Sequence, residues 1–250
     1  MYSSVKTIKA NAREKLLSCM WTAVFFTFNY YFITNLCSLC LMILPGGGSI
    51  AEFLFYEISV LIINLFTGLF QMGVAAFYLN AISEDRNASL FDLFYAFRHG
   101  PDKALKVTLF LSFLQILCSL PYVIYSLFIM PAYTMTDLTA MDASFILHFG
   151  IAYLLLGLGE LIYFFITLNY APVYFMLVDM PELSSKKALK MSVWLMKGSK
   201  ARLLWLRLSF LPLEFVSFLT FGIGNLWVTP YMNAASAEFY TDLSSKRANQ

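Results

Sequence analysis

Apolar side chains dominate six long stretches of the chain, separated by short segments that are polar or rich in glycine and proline. A bilayer core about 30 Å thick needs about 20 mostly apolar helical residues to cross it. Each stretch is therefore predicted to form one transmembrane helix. The predicted spans are residues 17–44, 53–82, 104–130, 145–178, 203–221 and 224–241.

Breaks in the apolar pattern mark the ends of these spans. Pro45–Gly48 separates the first span from the second, and Gly222–Gly224 alone separates the fifth from the sixth, which predicts a tight helical hairpin. The fourth stretch is too long for one straight crossing. We expect it to kink at Gly157, Gly159 or Pro172, with its last part along the membrane interface.

Composition excludes an ordinary soluble domain. The 250 residues are 60% hydrophobic, 18% aromatic and 13% charged, with a mean hydropathy of +0.69. Soluble domains are about 45–50% apolar and about 25% charged, whereas disordered chains are poor in apolar residues and rich in charge. Four cysteines are too few for a disulfide scaffold of this length. A multi-spanning membrane protein remains.

The basic residues assign an orientation to the six spans. All 17 lysines and arginines lie before span one, between spans two and three or in the first turn of span three, between spans four and five or just inside span five, or after span six. The alternate loops 45–52, 131–144 and 222–223 contain none. Because Lys and Arg are enriched in cytoplasmic loops, both termini are predicted to be cytoplasmic. The predicted fold is therefore an all-α, polytopic, single-domain membrane protein over residues 1–250.

Two or three short cytoplasmic helices are predicted to lie along the membrane surface. Residues 184–198 form the clearest case, with apolar side chains on one face and lysines on the other. Anionic lipid headgroups, and not nucleic acid, are the expected partners of this basic side. A membrane or cytoplasmic protein is a further possible partner. The candidate lipid contacts are Lys186, Lys187, Lys190, Lys197 and Lys200.

The second surface helix is predicted at residues 89–98, where Ser89 and Asp92 form a capping box. Residues 3–15 are a candidate third. The chain would then repeat a unit of surface helix, span, outer turn and span three times. The alternative is that any helix entering the membrane from the cytoplasm starts with such a basic turn, and that alternative is favoured.

Several segments resemble a family of bacterial integral membrane proteins without assigned function, domain of unknown function nine-seven-five. The resemblance implies a six-helix bundle in a bacterial, Gram-positive cytoplasmic membrane and supplies no reaction, ligand or catalytic residue. At Pro212 and Glu214 the chain departs from the Gly-Trp expected in this family after "SF". The matching segments are "IKANAREKLL" at 8–17, "SLFDLFYAF" at 89–97, "DMPELSSKKALKMSVWLMKGSK" at 179–200, "LSF" at 208–210 and "FGIGNLWVTPYMNAASAEFYTDL" at 221–243.

Polar side chains at mid-membrane depth form the candidate site. Ionisable groups inside a bilayer are costly and are default functional candidates. One hypothesis is that two glutamates line a polar cavity and exchange protons or bind a cation during transport. The favoured alternative is that they are neutral and serve helix packing. The candidate residues are Glu160, Glu214, Gln115, Asn64 and Asn233.

Arg207 and Glu238 are expected at similar depth near the cytoplasmic boundary. One prediction is that they pair across adjacent helices. The alternative is that Arg207 extends alone toward the lipid headgroups.

Motifs for catalysis, cofactors or metals are not found in the sequence. His99 and His148 fall on opposite sides of the predicted membrane, so they share no metal site. Cys37 and Cys40 are spaced like a redox motif but lie toward the C-terminal end of a span, where the helix dipole does not lower a thiol pKa, and packing thiols are favoured. No cofactor and no enzymatic activity are therefore predicted.

Three functions remain open from the sequence. The favoured one is a non-enzymatic accessory protein of the bacterial cytoplasmic membrane that binds lipid or a partner protein. A small permease that uses mid-membrane carboxylates is the close alternative. An intramembrane enzyme is the least supported.

Overall fold

A computed structural model describes residues 3–42, 50–83, 87–129 and 143–248, which contain helices and no strand. The all-α prediction is confirmed. The predicted turn at Pro45–Gly48 and loop 131–144, up to residue 142, lie outside the described residues. The helices are α1 (Val5–Leu17), α2 (Met20–Met42), α3 (Ile50–Ile82), α4 (Tyr95–Arg98), α5 (Pro101–Ile124), α6 (Ala143–Thr167), α7 (Val173–Asp179), α8 (Ser185–Met196), α9 (Lys200–Leu208), α10 (Leu211–Leu219) and α11 (Asn225–Ala248).

Three helical segments are long and apolar enough to cross a membrane: Leu54–Ile82, Pro101–Phe128 and Ile146–Asp179. A fourth is added when α1 and α2, which meet at an angle of 95°, count as one bent span. The structure therefore supports membrane association through three candidate spans. By the same criteria of length and composition, the predicted fifth and sixth spans do not qualify.

The predicted fifth span is divided into two helices. α9 ends at Leu208 and α10 begins at Leu211, with a turn at Ser209 and Phe210. Pro212 explains the break, because proline has no backbone N–H for the carbonyl four residues earlier and its ring clashes with that carbonyl. The prediction of one uninterrupted helix over 203–221 is therefore wrong.

The predicted fourth stretch bends where proline occurs, not where glycine does. α6 continues through Gly157 and Gly159, and a 3-10 turn at Leu168–Tyr170 leads to Pro172 at the start of α7. The apolar side chains of α7, including Met176 and Leu177, are almost completely buried. α7 packs against α3 and α8, and its position along the membrane interface stays a prediction.

Most of the described core lies at one end of the molecule, which we call the basic end. It comprises α1, α4, α7, α8 and α9, with the last turns of α3, the first turns of α5 and the last turns of α11. The side chains of Phe77, Tyr78 and Tyr240 are at most 1% exposed there. The predicted hydrophobic stripes of α1 and α8 thus pack largely on protein.

The remaining helical segments form what we call the apolar end. They are the second half of α2, the first half of α3, the second half of α5, and α6 and α10 with the start of α11. Their large apolar side chains are exposed, as Ile62 at 60% and Phe215 at 63% illustrate. Such a surface matches a hydrocarbon environment, because monomeric soluble proteins rarely expose apolar patches of this extent.

The predicted hairpin between residues 219 and 225 is confirmed. Phe221 and Gly222 both have positive φ values, of 52° and 84°. The Gly222 N–H donates to the Ser217 carbonyl at 2.9 Å, which satisfies a carbonyl at the end of α10. A Cβ at Gly224 would lie 2.7 Å from the Ser217 hydroxyl, so the close approach of α10 and α11 requires glycine there.

Candidate functional site

The five candidate polar residues divide between two cavities. Asn64, Gln115 and Glu160 line one cavity between α3, α5 and α6. Glu214 and Asn233 line another, between α10 and α11. The hypothesis that Glu160 and Glu214 line one common cavity is therefore wrong, because each glutamate lines a separate cavity in the described structure. We call these the Glu160 cavity and the Glu214 cavity.

The Glu160 cavity has a volume of about 190 Å³ and is polar on all three helices. Helical periodicity explains the arrangement, because residues three, four or seven apart share a face. Glu57 and Asn64 are seven apart on α3, and Ser112 and Gln115 are three apart on α5. Lys, Arg and His are not among the described residues of this wall.

Glu57 was not among the sequence candidates, although it lines the same cavity as Glu160. It lies near the start of the predicted second span, 53–82. The signal that identifies it is its spacing of seven residues from Asn64, which places both on one helix face. The cavity therefore presents two carboxyl groups, two amides and several hydroxyls, a set that can hold a proton or a cation.

The Glu214 cavity continues into two neighbouring cavities, and Asn233 lies in the wall of all three. The Glu214 cavity has a volume of about 730 Å³, and its two neighbours have volumes of about 360 and 160 Å³. Glu214 lines the two larger ones, whereas Arg207 lines the two smaller ones. Together they form a polar track along α11, open at its side and surrounded by apolar side chains.

Hydrogen bonds fix the walls of this track. The Tyr31 hydroxyl and the Thr229 hydroxyl are 2.9 Å apart, and they join α2 to α11. The Gln71 side-chain amide donates to the Tyr30 hydroxyl at 2.7 Å. Sequence analysis did not assign these partners, because each bond joins residues far apart in the chain.

Glu238 pairs with a residue other than the one predicted. Its carboxylate lies 2.7 Å from the Lys15 ammonium, because α1 packs along the last turns of α11. The prediction of an Arg207–Glu238 pair is wrong. Among the described residues, Arg207 makes no hydrogen bond or ion pair, and its guanidinium lies 5.9 Å from the centre of the Phe164 ring.

The amphipathic helix predicted at 184–198 is confirmed as α8, and all five of its candidate lysines are exposed. Its opposite side, however, packs on protein. Ala188, Leu195 and Met196 are buried in the core. The Ser192 hydroxyl donates to the Asn169 carbonyl at 2.8 Å. The surface helix therefore contributes charge to the basic end, and most of its apolar face is covered by protein, although Val193 and Trp194 stay exposed.

The segment at 89–98 keeps part of its apolar side exposed. The capping box is confirmed, since the Ser89 N–H donates to the Asp92 carboxylate at 3.0 Å. Leu93 and Ala96 are buried against α3, while Phe91 is 68% exposed. This segment has the surface expected of a helix at a membrane interface.

Asp242 joins three chain segments at the basic end. Its carboxylate accepts hydrogen bonds from Arg202, Lys246 and the Ser3 hydroxyl. Burial opposes ionisation of this carboxyl, but the three donors prevail and lower its pKa to about 2. Sequence analysis did not identify this cluster, because its members are separated by up to 243 residues in the chain.

The side chain of Lys9 contacts the turn between α9 and α10. The Lys9 ammonium donates to the Ser209 carbonyl at 3.1 Å and lies 4.1 Å from the centre of the Phe210 ring. A cation at this position compensates the negative end of the α9 dipole. Partial burial lowers the pKa of Lys9 below its usual value.

The two histidines of the chain lie far apart, at opposite ends of the molecule. His99 stacks on Tyr95 at the basic end, with ring centres 4.3 Å apart, whereas His148 lies 2.6 Å from the Tyr125 hydroxyl at the apolar end. Within the described part of the chain, no group of three His, Cys, Asp or Glu side chains is placed to hold a metal ion. The side chain of Cys40 lies outside the described residues, so the predicted Cys37–Cys40 arrangement stays a prediction.

A family model described as protein of unknown function (DUF975) matches residues 1–247. No curated protein and no solved structure matches the chain significantly. The match includes every helix at the basic end and both cavities. The chain therefore belongs to the DUF975 family of proteins of unknown function.

Proposed function

We propose that this protein is a non-enzymatic accessory component of the bacterial cytoplasmic membrane. It crosses the bilayer six times with both termini in the cytoplasm, and it binds anionic lipid headgroups through its basic end. The five exposed lysines of the α8 region provide the main contacts: Lys186, Lys187, Lys190, Lys197 and Lys200.

The observation that carries this proposal is the separation of charge from exposed apolar surface. The described basic residues lie at the basic end, and large apolar side chains are exposed over the apolar end. A cation near an anionic membrane surface contributes about 1 kcal/mol to attraction. Five exposed lysines on one helix region therefore favour contact with anionic headgroups.

The proposed topology has six crossings, which is three more than the three candidate spans. α2 and α11 have 23 and 24 residues, which corresponds to about 35 Å of helix each. α9 and α10 together run from residue 200 to 219, close to the roughly 20 residues of a span. The loops without Lys or Arg support placing both termini on the same side.

Headgroup binding is tested with all five lysines of the α8 region changed to glutamine. Full-length protein in nanodiscs of phosphatidylcholine with a small fraction of fluorescent phosphatidylglycerol reports enrichment of the anionic lipid around the protein. We expect the variant to lose most of this enrichment. The control changes Lys103 and Lys106 to glutamine. These side chains are half-exposed and exposed at the same end, and their change should reduce the enrichment far less. Equal enrichment for the five-lysine variant and wild type would contradict the proposal.

Proton-linked transport is a second candidate function, supported by the Glu160 cavity. Two carboxyl side chains, Glu57 and Glu160, face one cavity whose described wall contains no cation. Liposomes with a pH-sensitive dye inside report proton flux through the reconstituted protein. Transport predicts that Glu160→Gln lowers this flux and that Glu182→Gln, an exposed residue outside both cavities, does not. Equal flux in wild type and Glu160→Gln would exclude a role for Glu160.

A further inference from the structure

Arg207 is a partly buried cation beside the cavities along α11. Its side chain is half-buried on α9, and in the described part of the chain it makes no ion pair or hydrogen bond. Buried charges in proteins are normally paired, because an uncompensated charge is costly to desolvate. The Phe164 ring, whose centre lies 5.9 Å from the guanidinium, cannot neutralise a full positive charge.

The cavity beside Arg207 has polar groups that complement an anion. Asn233 and Ser236 lie in its wall. The Asn233 side-chain amide can donate to an anionic oxygen, whereas the Ser236 hydroxyl already donates to the Met232 carbonyl at 2.8 Å. Arginine is suited to this task because its planar guanidinium donates two parallel hydrogen bonds to phosphate or carboxylate. Glu214 lines the same cavity but forms no ion pair with Arg207, so the positive charge is left for a ligand.

The rest of the same wall is apolar. Phe164, Leu211 and Met232 line it, and the cavity of about 360 Å³ opens to the outside of the helix bundle. Leu208 and Leu211, beside this opening, are 42% and 52% exposed. A ligand with one anionic group and hydrocarbon chains matches this wall better than a small hydrated anion, since the chains replace exposed apolar contacts.

We propose that Arg207 binds the phosphate group of an anionic phospholipid whose acyl chains lie against Phe164, Leu211 and Met232. The site is distinct from the lysines of the α8 region, because Arg207 lies within the predicted fifth span and faces the interior cavity. This inference therefore does not rest on headgroup binding by those lysines.

Native mass spectrometry of the full-length, delipidated protein tests the site. Phosphatidylglycerol is the probe lipid, and the measured quantity is the fraction of protein with one bound lipid. Phosphatidylcholine, whose anionic phosphate is balanced by its choline cation, is the zwitterionic comparison. Loss of one charge-assisted contact corresponds to about a tenfold weaker affinity. We expect this loss for Arg207→Gln. Arg98→Gln, the same change at an exposed position of the basic end, should alter affinity less than twofold.

Two further variants make the assignment specific. Arg207→Lys keeps the charge and should restore part of the affinity, which a purely structural role for the side chain would not predict. Glu214→Gln should leave phosphatidylglycerol binding unchanged or tighter. A loss of binding in Glu214→Gln would overturn the proposal, because the ligand would then need a cationic group.

Competition identifies the source of the phosphate. Inorganic phosphate at millimolar concentration should not displace phosphatidylglycerol if the acyl chains contribute to binding. Displacement by inorganic phosphate would overturn the lipid assignment. Equal lipid occupancy in wild type and Arg207→Gln would overturn the site itself.

A measurement on the wild-type protein keeps the test valid should Arg207→Gln fail to fold. A phosphatidylglycerol with a photoreactive group in its acyl chain should crosslink to residues 204–214 and 229–236. The five-lysine variant should give the same crosslinks, even though it loses headgroup enrichment. Crosslinks confined to residues 184–200 would overturn the Arg207 site while supporting the lysine contacts.

Discussion

The two ends of α3 lie in opposite surroundings although the whole helix is apolar. Near its start, Leu54 and Ile62 are 54% and 60% exposed, whereas Ala76 and Phe77 near its end are completely buried. The same difference separates the apolar end from the basic end of the molecule. Apolar residues in this protein therefore serve two purposes, protein packing at the basic end and contact with hydrocarbon at the apolar end.

The two ends also differ in the interactions that hold their helices together. At the basic end, α1, α9 and α11 are held together by Asp242, Glu238 and the cations they bind. At the apolar end, lipid tails are as apolar as leucine, so little hydrophobic driving force brings helices together. Substitutions at matched positions in the two regions should therefore have very different costs.

Removal of a leucine side chain should have the largest effect. Leu177 in α7 is 1% exposed and Leu158 in α6 is 48% exposed. We expect Leu177→Ala to lower the free energy of unfolding by about 4 kcal/mol, since burial is lost and a cavity remains. Leu158→Ala should change it by less than about 0.5 kcal/mol. Unfolding of the full-length protein in lipid–detergent micelles, titrated with dodecyl sulfate, measures both; equal losses would contradict the division into two ends.

Addition of one methyl group gives the next comparison. A Cβ at Gly73 would collide with the backbone carbonyl of Leu93, whereas a Cβ at Gly157 meets no atom within 4 Å. Gly73→Ala should cost about 3 kcal/mol, because the 89–98 segment must move away from α3. Gly157→Ala should be neutral or slightly stabilising, because alanine favours helix. The same titration measures the pair, and a tolerated Gly73→Ala would refute the close packing of this segment.

Charge pairing supplies a third comparison within the basic end. Asp242→Asn should destabilise the protein by about 2 kcal/mol, because Arg202 and Lys246 lose their charged acceptor in a largely buried place. The exposed pair of Asp102 and Lys106, 3.0 Å apart, is the control. Asp102→Asn should produce no measurable change in stability. Thermal unfolding in micelles distinguishes the two, and a neutral Asp242→Asn would show that the cluster does not hold the termini.

Lowering the pH should produce the smallest change in the stability of the fold. The pKa of Asp242 is lowered to about 2 in the folded protein and is about 3.9 in an unfolded chain. A depressed pKa stabilises the fold fully above the unfolded value, and this contribution is lost as the pH falls from about 4 to about 2. Wild type should therefore lose more stability over this interval than Asp242→Asn. Parallel acid profiles for the two proteins would contradict the assignment.

Local sequence signals predicted the local structure well. Residues 184–198 were predicted from lysine spacing, and α8 begins and ends within two residues of those limits. The capping box at Ser89 and Asp92 was likewise predictable, because both partners lie in one turn. Both features depend on contacts between residues close in sequence.

Long-range structure was not predictable in the same way. The Lys15–Glu238 pair depends on how α1 packs on α11, which periodicity does not encode. Amphipathicity predicted the surface of α8 but did not distinguish protein from lipid as the partner of its apolar side. The separation of Glu160 from Glu214 also depends on helix packing.

Cysteine labelling in intact cells tests the six-span orientation most directly. Cys19, Cys37, Cys40 and Cys118 are first replaced by serine, and single cysteines are introduced by Gly47→Cys, Asp137→Cys and Lys190→Cys. A membrane-impermeant maleimide should label positions 47 and 137 in intact cells and position 190 only after lysis. Labelling of position 190 in intact cells, with 47 and 137 protected until lysis, would contradict the account.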